Sequence, residues 1–114
     1  MNRTHSLKRH KEFNFTYRVG KKQSCKSFVL VYAKNHRGEV HVGFSVSKKI
    51  GNSVMRNRSK RRLRACFEPL FKEIKGGYNL IFIARDASLS CDFAEMQNDM
   101  RTLIKKAGLM EERG

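Results

Sequence analysis

Between positions 40 and 47, apolar and polar residues take strict turns: Val40, Val42, Phe44 and Val46 against His41, Gly43, Ser45 and Ser47. A period of two places the first set on one face of a β-strand and the second on the other. One face reads as core, and the other as flat and available. Just upstream, Phe28-Val29-Leu30-Val31-Tyr32 is β-branched and aromatic. The turn-like Asn35-His36-Arg37-Gly38 follows, so this run reads as a strand forming a hairpin with its successor. In Tyr78 to Ala84 the residues Leu80, Ile81, Phe82 and Ile83 are apolar without alternation, as in a strand buried on both faces.

The other segments have helical spacing. Ser6 can cap a helix through Leu7, His10, Phe13 and Tyr17, with Gly20 placed just past its end. Asn52 or Ser53 can cap a second, in which Leu63, Phe67, Leu70, Phe71 and Ile74 form an apolar stripe ahead of Gly76-Gly77. Pro69 predicts a kink or an early end, because its ring clashes with the carbonyl of Ala65. Asp92 and Glu95 form a capping box for a third helix, with Phe93, Met96, Met100, Leu103, Ile104 and Ala107 in register and Gly108 at its end. The order is α-β-β-α-β-α, an α/β chain expected to fold as an α+β two-layer sandwich. A short extra strand around Lys21 to Cys25 stays open.

Composition narrows the class. The 114 residues allow one domain, 1–114, with flexible ends expected at 1–5 and 109–114. Residues 1–76 hold 20 basic and 4 acidic side chains, whereas 77–114 hold 5 and 6. Self-repulsion on that scale opposes compaction and is relieved by an anionic partner, with nucleic acid ahead of a membrane surface. The longest apolar runs are far shorter than the ~18 residues that span a bilayer. No secretory segment follows the basic N-terminus, so a cytoplasmic location is expected. Cys25, Cys66 and Cys91 lack metal-ligand spacing and read as free, partly buried thiols.

Residues 48–64, KKIGNSVMRNRSKRRLR, carry eight basic side chains and no acidic one. On a helix Arg56, Lys60 and Arg64 share a ridge, while Asn57 and Arg61 lie beside it, so positive charge wraps much of the circumference. Arg56 and Lys60 also share the azimuth of the apolar stripe, so the first turns cannot all pack on a core. Phosphate oxygens compensate such a surface through charge-assisted guanidinium contacts. A solvated charged face or an import-type basic cluster would have the same composition. No pair of carboxylates or histidines in this stretch suits hydrolysis. His41, on the polar strand face, reads as a polar contact, and His5, His10 and His36 as solvated residues.

The run Gly43-Phe44-Ser45-Val46-Ser47-Lys48-Lys49-Ile50-Gly51-Asn52-Ser53-Val54-Met55-Arg56-Asn57-Arg58-Ser59-Lys60-Arg61 resembles the protein subunit of bacterial ribonuclease P. Leu7-Lys8, Glu12-Phe13, Gly20, Ser27 to Leu30 and Ile81 to Arg85 extend the likeness over most of the chain. Ser53 departs from the family's usual Ala, and Tyr17 replaces a common Phe by another ring.

The resemblance implies a mixed sheet with a left-handed β-α-β crossover, against the general handedness rule. It also implies a protein that assists an RNA catalyst in cutting the 5′ leader from precursor tRNA. On that reading Lys48, Lys49, Arg56, Asn57, Arg58, Lys60, Arg61 and Arg64 bind the catalytic RNA. Phe13, Tyr17, Ser45 and Ser47 meet the single-stranded leader. No residue of the chain is expected to be catalytic or to hold metal, and Mg2+ is expected mainly on RNA phosphates and water. Weak self-association of the RNA-free chain stays open. A ribosomal or other structural RNA-binding protein fits the same composition. A DNA reader would predict a helix-turn-helix pair or a dimer seam, and here the basic helix follows a strand.

Overall fold

The computed structural model describes residues 10–35 and 38–110. In chain order the elements are α1 (His10–Val19), β1 (Lys21–Ser24), β2 (Phe28–Lys34), β3 (Val40–Ser45), α2 (Ser53–Phe67), β4 (Tyr78–Ala84) and α3 (Phe93–Lys106). Short 3-10 turns cover Lys48–Ile50, Glu68–Glu73 and Asp86–Ser90. The optional extra strand is therefore present as β1, and the N-cap expected at Ser6 lies outside the described residues.

The sheet order is β1-β2-β4-β3, with β1-β2 and β2-β4 antiparallel and β3-β4 parallel. This corrects the expected β2-β3 hairpin, because β4 stands between the two strands. The reason lies in β4 itself, whose apolar residues on both faces are buried only in a central strand with packing above and below. The connection after β2 steps around its start. The Asn35 amide donates to Gly77 O at 2.9 Å, and the Gly77 amide donates to Glu39 O at 3.1 Å. The hairpin is formed instead by β1 and β2.

One sheet face carries the main core. Phe28, Leu30, Val42, Phe44, Leu80 and Phe82 pack there against Leu63, Cys66 and Phe67 of α2 and Met96, Met100, Leu103 and Ile104 of α3. The rings of Phe44 and Phe67 lie 6.0 and 5.5 Å from that of Phe82. On the opposite face Val31 and Ile81 are fully buried, with Phe13 of α1 packed against them. The two-layer sandwich thus gains a partial third layer. Gly20 lets α1 end close to the sheet, since a Cβ there would meet Thr16 O at 2.3 Å and Val31 Cγ1 at 2.8 Å.

Helix ends follow local chemistry. Asn52 Oδ1 accepts from the Met55 amide at 3.0 Å, and Asp92 Oδ1 from the Glu95 amide at 2.8 Å. At Pro69 α2 has already given way to the 3-10 turn Glu68–Glu73. Gly108 turns the chain at φ 73°, a left-handed conformation suited to glycine after α3. Of the C-terminal stretch expected to be flexible, Leu109 is buried and Met110 bridges to Ile74, and residues 111–114 lie outside the described residues.

Candidate nucleic-acid interface

The connector from β3 into α2 presents the first cations. Ser47 caps the turn Lys48–Ile50 by accepting from the Lys49 amide at 3.1 Å, and Ile50 is buried. With Ile50 as anchor, Lys48 and Lys49 stay exposed immediately before the start of α2. The first turn of α2 has no acidic residue, so these lysines reinforce the positive end of the helix dipole.

Along α2, Asn57, Arg58, Arg61 and Arg64 are exposed, while Arg56 and Lys60 are half-buried. Among the described residues, none of these cations has a carboxylate within 4.0 Å. Arg56 Nε is buried with no hydrogen-bond partner among those residues, a donor the fold does not use. Arg62 behaves differently: its guanidinium donates to Cys91 O at 2.7 Å and ties α2 to the entry of α3. Only the core-facing side of α2, at Leu63, Cys66 and Phe67, is buried. The azimuth conflict at Arg56 and Lys60 is resolved by keeping the first turns at the edge of the core.

On the other sheet face α1 lies over β2 and β4 rather than β3. Phe13 is half-buried against Val31 and Ile81, and Tyr17 is 37% exposed, with the two ring centroids 6.4 Å apart. Gly43 stands beside Ile81 in register and adds no side chain. Gly43 and Ser45, in register with Ile81 and Ile83, thus share a sheet face with the rings of α1. Ser45 is half-buried on β3 and Ser47 is exposed beyond it, its hydroxyl engaged in the cap. The β3 face is less open than its alternation suggests, because His41 is buried with Nε2 3.3 Å from Glu39 Oε2. His5 and His36 lie outside the described residues.

Two residues that position α1 on the sheet escape the pattern of the sequence. Thr16 is fully buried between the turns carrying Phe13 and Tyr17; its hydroxyl donates to Glu12 O at 2.8 Å and accepts from Asn79 Nδ2 at 3.2 Å. Asn79 Oδ1 in turn accepts from Asn35 Nδ2 at 2.9 Å. The available signal was a lone Asn at the start of an otherwise apolar strand. Helix α1 and the cationic helix lie on opposite faces of the sheet, and the connector through Ser47 to Asn52 leads from β3 into α2. Cys66 and Cys91 are buried and Cys25 is half-buried, and burial pushes the Cys66 thiol up despite the nearby Arg62.

The sequence profile of the Ribonuclease P family matches residues 1–108. The chain belongs to the ribonuclease P protein family. A ribonuclease P protein component of Clostridium botulinum is 41% identical over 104 residues, covering 90% of this chain and 94% of that one. One of a Thermoanaerobacter species is 44% identical over 103 residues, covering 90% and 89%. The fold agrees with solved members. An RNase P protein of Staphylococcus aureus superposes with TM-score 0.84 at 29% identity over 94% of this chain and 98% of that one. That of Thermotoga maritima gives 0.80 at 25% identity over 89% and 96%. Family membership sets aside the ribosomal and DNA-reader alternatives. No helix among the described residues is long and apolar enough to cross a membrane.

Proposed function

We propose that this chain is the protein subunit of a cytoplasmic ribonuclease P, in which an RNA catalyst removes the 5′ leader of precursor tRNA. Lys48, Lys49, Arg56, Asn57, Arg58, Lys60, Arg61 and Arg64 grip the catalytic RNA. The guanidinium groups take phosphate oxygens, and Asn57 offers a donor and an acceptor to a ribose or base edge. The observation that carries the reading is the cationic face of α2, which has no carboxylate within 4.0 Å among the described residues of a chain matched to this family over residues 1–108.

The unpaired leader lies between α1 and β3. Phe13 and Tyr17 offer ring faces, and stacking contributes ~1–3 kcal/mol per base with little sequence preference. Ser45 and Ser47 offer hydroxyls on the opposite side. The protein's part in the reaction is to neutralise phosphate repulsion and to orient substrate, with bond cleavage left to the RNA. Mg2+ is held mainly by RNA phosphates and water, the hard oxygen ligands it prefers.

The test is reconstitution with ribonuclease P RNA, followed by binding of precursor and mature tRNA at several magnesium concentrations. Addition of the protein is expected to lower the magnesium requirement and to tighten precursor binding more than mature binding. Equal gains for both substrates would remove the leader site from the account.

A further inference from the structure

A pocket of about 140 Å³ opens between α2 and the start of α3, outside the ridge of cations already described. Its apolar lining is Met55, Leu63, Leu89 and Met96, and Arg58 and Arg62 add two cations to it. Ser59 and Ser88 bring hydroxyls to the same lining. None of its lining residues is acidic. Met55 and Leu89 are each 46% exposed, and Val54 and Phe93, next to Met55 in the chain and at the start of α3, are 64% and 45% exposed. Two of these four, Met55 and Leu89, line the pocket, which therefore presents apolar surface to solvent.

The two arginines differ in freedom. Arg62 is pinned by its 2.7 Å bond to Cys91 O, which holds one of the two cations in place. Arg58 is exposed and has no carboxylate within 4.0 Å among the described residues. Apolar side chains, hydroxyls and arginines in one lining match the parts of one nucleotide: flat ring faces, a hydrogen-bonding edge and an anionic phosphate. A hydrophobic peptide side chain would suit the apolar side chains alone. Sequence-specific RNA recognition commonly takes bases that are splayed out of a loop or bulge.

We propose that this pocket receives one unstacked base of the RNA gripped by α2, with Arg58 on its phosphate and Ser59 and Ser88 toward its edge. The inference rests on the reading of α2 as an RNA-binding helix and adds a contact that is not electrostatic.

Leu89→Ser and Met55→Ser test it, with Arg58→Ala and Arg61→Ala alongside. Thermal unfolding of each variant checks that the fold persists, as expected for side chains already half exposed. Affinity for in vitro transcribed ribonuclease P RNA is measured across a salt series, and base-specific chemical probing follows individual nucleotides. Leu89→Ser and Met55→Ser are each expected to weaken binding about ten-fold at every salt concentration, the scale of one apolar side chain's lost burial, with the salt slope unchanged. One nucleotide protected by the unaltered protein should become reactive. Unaltered affinity with an unaltered reactivity pattern would overturn the proposal. So would a loss confined to self-association, which would make a second copy the occupant. If the two arginine variants also keep full affinity and slope, the reading of α2 itself fails, which is a separate outcome.

Discussion

Helices α2 and α3 pack side by side on the same sheet face, yet they settle their charges in opposite ways. In α3, Asp92 caps the N-terminus, Glu95 lies in the first turn and Lys105 and Lys106 in the last, matching the dipole at both ends. Its surface charges also find partners: Lys26 bonds Glu95 at 2.5 Å, and Arg101 lies 3.7 Å from Glu73. In α2, Arg56, Arg58, Lys60, Arg61, Arg62 and Arg64 meet no acidic residue on their own helix, and the first turn holds none. The one cation the fold clearly uses is Arg62, through a backbone carbonyl. A helix serving the fold alone resembles α3, and α2 carries charge the fold does not employ.

Substitutions on the two helices should therefore separate stability from RNA binding. Met100 is fully buried on α3, and Met100→Ala should lower unfolding free energy by about 2–5 kcal/mol, read by urea denaturation. Under conditions where that variant is still folded, its RNA-binding salt slope should match the unaltered protein's. Outside both helices, Tyr17→Ala should remove about 1–3 kcal/mol of the preference for precursor over mature tRNA, read by paired binding titrations. Its stability should change little, since Tyr17 is already exposed.

Making α2 more like α3 is a smaller and sharper test. Lys60→Glu puts a carboxylate four residues from both Arg56 and Arg64. Each such pair is worth about 0.2–0.5 kcal/mol, so the melting temperature should hold or rise while RNA affinity falls. A drop in stability together with affinity would mean that α2's charge is already balanced.

The smallest effect concerns pH. Burial raises the Cys66 thiol above its ordinary value. Below about pH 8.5 the thiol is protonated both folded and unfolded, and its contribution is intact. As pH rises past that value the unfolded chain ionises first, so the contribution is lost on the way to the raised folded pKa. The unaltered protein should thus lose slightly more stability between about pH 8 and 9.5 than Cys66→Ala does, read by denaturation midpoints.

Most elements were legible because their periods were clean. The caps at Asn52 and Asp92, the break at Pro69 and the doubly buried β4 follow from local rules that tertiary context did not override. Strand pairing was less legible. Adjacency in sequence suggested β2 with β3, and only the apolar character of both faces of β4 hinted that it belonged between them. The strand β1, Lys-Lys-Gln-Ser, has no hydrophobic alternation and joins the sheet by pairing with β2. The polar face of β3 looked open although His41 on it is buried, because alternation reports which face a side chain takes, not how much covers that face. The cationic helix was fully legible, since its lack of acidic residues is visible without coordinates. The bonds that seat α1 through Thr16 and Asn79 join residues 63 positions apart and leave no local pattern.

The most direct test of unemployed charge on α2 is the slope of log affinity against log salt for ribonuclease P RNA. It should be compared between the unaltered protein and the Arg58→Ala/Arg61→Ala double variant. Each phosphate contact contributes about 0.7–0.9 to that slope, so the double variant should flatten it by roughly 1.4–1.8 without loss of stability. An identical slope in both proteins would contradict the account and place the RNA on another face.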